Sequence, residues 1–283
     1  MSKIWMAANI HSGSYDKTLC QSVSGALSAE GHDMARMIEC PHEALPTAAE
    51  LTAAGVDALA VFGGDGTVNG ALRSAQGWNG HILALPGGTM NLLARTLHGD
   101  ADSETIARRY AQGHSRISPI PVVIGEGETA LVGVIAGPTT AWGEVREDMR
   151  HFNLADMPGS IADAWTKTFG GAQVRLDGDG AAYPALFIEP AEHALRVTGF
   201  TAEGAGQLFA HGLSWLKGDF REGPHETLGA RAALSLSADD GKPVGLLVDG
   251  EESAGSAICH FRHGLSAVDF VYTMQESPAN DVS

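Results

Sequence analysis

Two short stretches hold residues whose types and spacing suit phosphate chemistry: "VFGGDGTVNG", residues 61–70, and "ALPGGTMNLLAR", residues 84–95. In each, an apolar run delivers glycines, a threonine and an asparagine into a helix start. Gly63, Gly64 and Gly66 allow close backbone approach and let N–H groups face an anion. The helix that follows adds unsatisfied N–H groups and the positive end of its dipole. Thr67 can cap that helix or donate to a phosphate oxygen, and Asn69 adds an amide. Gly88, Thr89 and Asn91 repeat the arrangement one strand later, so two loops could grip a polyphosphate from two sides. Asp65 places a negative charge among these donors. A Mg²⁺ ion bridging carboxylate and phosphate would make that charge attractive, with Asp65 as its ligand. A proton-handling role and a plain helix cap are the other readings.

The surrounding pattern explains how such loops would be positioned. "KIWMAAN", "DMARMIEC", "DALAVFGG" and "HILALPGG" read as strands, and helices between them are predicted from about Asp16 to Glu30, over "TAAELTAAG", and from near Thr67. Leu19, Val23 and Leu27 share one helix face. Gly31 and Gly55 stand where helices should stop. This alternation predicts a parallel sheet with helices on its faces and ligands beyond the carboxyl ends of the strands. Both glycine clusters fall at that edge. After a helix over "TIARRYAQG", many short strand-like runs follow, separated by Gly, Pro and Asp, as in an antiparallel sandwich. A helical insertion at about Trp142 to Gly170 interrupts them. The expected domains are 1–115 (nucleotide-binding, α/β), 116–276 (β-sandwich, for substrate) and a tail, 277–283.

Bulk properties narrow the partners. Eighteen basic and 34 acidic residues give a net charge of −16, which disfavours nucleic acid as a partner. Cys20, Cys40 and Cys259 are too few and too scattered for a disulfide framework. No run reaches the roughly 18 apolar residues of a spanning helix. A cytoplasmic protein is expected, at most peripheral to the inner membrane face.

GGDGT followed one strand later by P-x-GTxN-x-x-AR resembles the diacylglycerol kinase catalytic-domain family, which includes bacterial lipid kinases, sphingosine kinases and ceramide kinases. The resemblance implies a nucleotide-binding α/β domain, a C-terminal β-sandwich, and ATP and Mg²⁺ as cofactors. The family's first phosphate loop, N-P-x-SG, is matched by Asn9, Ser12 and Gly13 in "NIHSG", with Ile10 in place of proline. Its late DGE triplet, which supplies the presumed base, is matched by Asp249, Gly250 and Glu251. Two positions depart from the pattern: Gly70 follows Asn69 where the family often has Glu, and Leu92 follows Asn91 where it often has Asp.

Asp249-Gly250 between apolar strands also reads as a type I′ hairpin turn, which would mount the carboxylate rigidly. One of Asp249 and Glu251 could take a hydroxyl proton while the other orients it or holds metal; sequence does not choose. Cys259, His260 and His263 carry zinc-type donors, but strand alternation sends the first two to opposite faces. The Trp142–Phe152 stretch reads as a packed helix, or as a lip where Arg146 and Arg150 meet a lipid head group or ATP phosphates. The aromatics Trp215 and Phe220 read as core packing or as bilayer contacts. Asp219 is a weak candidate for a second metal site.

The expected activity is ATP-dependent phosphorylation of a lipid hydroxyl, most simply diacylglycerol to phosphatidate, at the membrane surface. Asp65, Asp249 and Glu251 are the candidate catalytic residues. Alternatives are an NAD kinase-like small-molecule kinase and a nucleotide-binding protein that has lost catalysis. A homodimer is compatible with the sequence, which does not fix the oligomeric state.

Overall fold

The computed structural model describes residues 1–88, 91–138, 173–178, 180–200 and 225–273. The expected insertion at 142–170 and Trp215, Asp219 and Phe220 lie outside these residues. Two compact units are present, one formed by 1–120 with 266–283 and the other by 121–265.

The first unit contains β1 (Lys3–Asn9), α1 (Lys17–Leu27), β2 (Asp33–Cys40), α2 (Ala48–Ala53), β3 (Ala58–Gly63), α3 (Asp65–Ser74), β4 (His81–Pro86), α4 (Leu92–His98), α5 (Ser103–Ala111) and β5 (Arg116–Ser118). Local chemistry sets several boundaries. Asp16 caps α1 through the Leu19 N–H, and Thr47 and Glu50 form a capping box on α2. The second unit runs through β6 (Pro121–Gly125), β7 (Glu128–Ala130), β8 (Val134–Pro138), β9 (Val174–Leu176), β10 (Ala182–Tyr183), β11 (Ala185–Pro190), β12 (Leu195–Phe200), β13 (His225–Arg231), β14 (Ala233–Ala238), β15 (Val244–Val248), β16 (Glu251–Ala254) and β17 (Ile258–Leu265). The chain then forms β18 (Asp269–Tyr272).

In the first unit the strand order is β2-β1-β3-β4-β18-β5. All neighbours are parallel except β5, which runs antiparallel to β18. Every residue of β3 is buried, as expected of a central strand covered on both faces. Val23 and Leu27 of α1 and Ile106 and Tyr110 of α5 pack with Met6, Phe62 and Leu85 in one cluster. Val68, Ala71 and Leu72 of α3 are also buried.

The late apolar run expected in the second domain forms β18, which instead pairs with β4 in the first sheet. Phe270 and Val271 are both fully buried, so no alternation marks which sheet the strand should join. The outgoing and returning chains are tied together. Ser266 Oγ accepts the Ile120 N–H at 3.0 Å and donates to the Val268 carbonyl, and the Ser266 N–H donates to the Ile120 carbonyl.

The second unit is an antiparallel sandwich. Its sheets have the orders β10-β9-β14-β17-β6-β7 and β13-β12-β11-β8-β15-β16. Alternate residues from both, among them Val123, Leu234 and Phe261 on one sheet and Ala136, Ile188 and Leu246 on the other, form a single buried cluster. Cys259 is buried and His260 exposed, so strand alternation separates the zinc-type donors as expected.

Candidate functional site

Three turns leave the carboxyl edge of the first sheet side by side. Gly63 and Pro86 are in register on β3 and β4, so the two glycine turns start level with each other. The Gly87 N–H donates to the Gly63 carbonyl at 3.1 Å, and the Ser14 N–H donates to the Gly87 carbonyl at 3.1 Å. Asn9, ending β1, donates its side-chain amide to Thr67 Oγ1 at 3.0 Å and accepts the His11 N–H through its carbonyl oxygen. Asn9, Ser12, Gly13, Gly63, Gly64, Gly66 and Thr67 are thereby brought to one edge. Ser14 and Gly87 stitch the turns together through backbone groups. The paired glycines of "PGG" pointed to Gly87; nothing local pointed to Ser14.

The glycines serve this mutual packing. A Cβ on Gly88 would stand 2.6 Å from Gly64 Cα, and one on Gly87 would stand 2.9 Å from the Gly63 nitrogen. Gly64 itself has room, with Gly88 Cα at 3.6 Å from a built Cβ. Asn91 closes the second turn with two bonds of 2.7 Å, accepting the Gly88 N–H and donating to the Gly88 carbonyl. It does so with φ 52°, a left-handed conformation that asparagine tolerates. Thr89 lies outside the described residues. Asn69 sits buried in α3, within the helix body. At Gly70 an added Cβ would meet Leu45 Cδ1 at 3.2 Å, so this departure from the family pattern coincides with close packing of α3.

Asp65 opens α3, yet its carboxylate reaches the next helix. Oδ2 accepts the Leu92 N–H at 3.0 Å and Oδ1 the Leu93 N–H at 2.9 Å. These are among the first N–H groups of α4, which have no partners inside their own helix. The acid is therefore a cap, but of α4 and not of the helix it begins. Burial raises its pKa, opposed by the N–H groups of Leu93 and Leu92. Magnesium demands near-octahedral oxygen ligation. Both oxygens of this half-buried carboxylate face N–H donors, and among the described residues no three His, Cys, Asp or Glu gather into a metal site. A Mg²⁺ ion of the kind the sequence suggests would have to share these oxygens with the α4 N–H groups, its other ligands being phosphate oxygens and water.

Two polar groups at this edge fit a phosphate better. The Ser12 hydroxyl is shielded from solvent and has no hydrogen-bond partner among the described residues. Thr67 Oγ1 accepts from Asn9, which leaves its own proton for another acceptor. Gly64 caps α3, a ten-residue helix, without any side-chain hydrogen bond.

In the second unit, Asp249 (φ 50°) and Gly250 (φ 84°) join β15 to β16 as a two-residue turn, with Val248 opposite Glu251. This is the type I′ geometry read from the sequence. The Asp249 carboxylate is occupied. Oδ2 accepts the Leu131 N–H at 2.8 Å, and Oδ1 accepts those of Val132 and Gly133 at 2.8 and 3.0 Å. It ties the hairpin to the 131–133 segment, a partnership invisible in sequence. Glu251 is exposed at the start of β16.

A parallel α/β unit with interlocked glycine turns at its carboxyl edge, continuing into an antiparallel sandwich, defines the class. Residues 3–121 match the family model of the diacylglycerol kinase catalytic domain, so this part of the chain carries the domain that its motifs resemble. Solved structures share the fold. A diacylglycerol kinase from Bacillus anthracis str. Sterne is 18% identical, covers 98% of both chains and superposes with a TM-score of 0.63. A structure from the same organism described as a candidate diacylglycerol kinase has the same identity and coverage and a TM-score of 0.67. At these identities the likeness is one of fold. No curated protein sequence matches the chain. Among the described residues, no helix is long and apolar enough to cross a membrane.

Proposed function

We propose that this protein transfers the γ-phosphoryl group of ATP to a lipid hydroxyl, diacylglycerol being the simplest acceptor. The observation that carries this reading is the interlocking of the turns after β1, β3 and β4 through Asn9–Thr67, Ser14–Gly87 and Gly87–Gly63, with a shielded, unpartnered Ser12 hydroxyl in the first of them. Backbone N–H groups at the start of α3, with Ser12 and Thr67, would hold the phosphates and neutralise charge. Such positioning and electrostatic stabilisation supply most of the catalysis in phosphoryl transfer. Of the two late acids, Glu251 is taken as the base for the acceptor alcohol because it stands exposed at the start of β16, whereas the Asp249 carboxylate anchors the 131–133 backbone. Asp249 then serves as its mount. The lipid would be met at a membrane surface by a peripheral protein.

The test is transfer from labelled ATP to a panel of diacylglycerol, sphingoid base, ceramide and NAD, with Glu251→Gln beside the native protein. Lipid labelling that Glu251→Gln abolishes supports the reading. Labelling of NAD alone replaces it with a small-molecule kinase, and ATP binding without any transfer replaces it with a non-catalytic nucleotide-binding protein.

A further inference from the structure

We infer that Asp65 is a positioning residue: its carboxylate acts through the N-terminus of α4 to hold the second glycine turn against the first. This rests on the reading that the turns bind nucleotide, but the clamp itself does not. Three observations converge on it. Each carboxylate oxygen is directed at a different N–H of α4, at 3.0 and 2.9 Å. The helix leaves directly from Asn91, whose side chain closes the turn on Gly88, and Gly88 lies against Gly64, the residue before Asp65. A closed ring of contacts therefore runs Gly64–Asp65–α4–Asn91–Gly88 and back to Gly64.

The far end of α4 is also fixed. His98 Nδ1 pairs with Thr273 Oγ1 at 2.9 Å, and the Thr273 N–H donates to the Leu97 carbonyl. This seven-residue helix is thereby held at both ends. The positive end of α4 meets the Asp65 carboxylate, which offsets its charge from inside the fold. That gives the acid among these donors a structural role: its carboxylate is directed at the α4 N–H groups.

The experiment pairs amide hydrogen exchange with nucleotide titration on the full chain, native and as Asp65→Asn and Asp65→Glu. In the native protein the Leu92 and Leu93 amides should exchange at least about tenfold more slowly than uncapped helix-start amides. Free-peptide rates there would overturn the clamp even if no variant folds. In Asp65→Asn their exchange should accelerate, and Asp65→Glu should restore part of the protection. ATP affinity of Asp65→Asn should fall by the same factor in EDTA and in excess Mg²⁺. A loss seen only with Mg²⁺, with exchange unchanged, would make Asp65 a metal ligand and refute the proposal. If the native chain binds no ATP, the functional reading fails while the exchange result still decides the clamp.

Discussion

Adding one methyl group at Gly88 tests the interlocking of the turns directly. In Gly88→Ala the new Cβ would stand 2.6 Å from Gly64 Cα, 3.1 Å from the Gly64 nitrogen and 3.2 Å from Asn91 Oδ1. Carbons in ordinary contact sit about 3.5–4.0 Å apart, so the two turns would have to part by roughly 1 Å. Two of the three neighbours are backbone atoms, and the segment is pinned by the Gly87–Gly63 and Asn91–Gly88 bonds. Overpacking of this kind costs about 1–3 kcal/mol, and the pinned surroundings argue for the upper half of that range. Gly64→Ala is the matched control. Its Cβ would lie 3.6 Å from Gly88 Cα at φ −83°, so its cost is limited to replacing a helix-capping glycine, under about 1 kcal/mol. Urea unfolding followed by circular dichroism measures both. With nucleotide titration added, Gly64→Ala should stay folded yet bind ATP more weakly, because its methyl group enters the approach to the α3 backbone. Equal unfolding midpoints for Gly88→Ala and the native protein would refute the packing argument.

Other consequences follow from the same structure. Burial holds His98 neutral, lowering its pKa from 6.5 to about 4. The unfolded chain therefore binds a proton that the folded chain refuses, and stability present above about pH 6.5 is lost as pH falls towards 4. The loss is up to roughly 3 kcal/mol, and His98→Gln should flatten it in urea midpoints measured across that range. Asp249→Ala leaves three N–H groups without their acceptor and should destabilise the second unit by about 2–4 kcal/mol, read by thermal unfolding. Glu251→Gln, at an exposed position, should change stability by less than about 0.5 kcal/mol while abolishing transfer. Gly70→Ala gains helix propensity of about 0.5–1 kcal/mol against a contact with the half-buried, flexible Leu45 side chain. A small net stabilisation is expected in the same unfolding assay.

Much of the architecture was legible along the chain because its causes are local. The apolar runs of β1 to β4, the Thr47 capping box and the Asp249-Gly250 turn each depend on residues within a few positions of one another. Their pattern placed both glycine clusters at the carboxyl edge before any coordinates. The errors fell where a decision spans the chain. The run containing Phe270 and Val271 is buried on both faces, so its side chains carry no record of their partner strand.

The sequence by itself determined which segments become strands and helices, where the backbone turns, and which polar residues arrive at one edge of a parallel sheet. Only the tertiary structure decided what those residues touch. Asp65 meets amides 27 and 28 positions away, and Asp249 meets three that lie 116 to 118 positions away. A carboxylate reads alike in sequence whether it faces a metal, a substrate or an orphaned N–H group. The distinction lies in which donors the folded chain brings within about 3 Å, and short-range periodicity does not encode that.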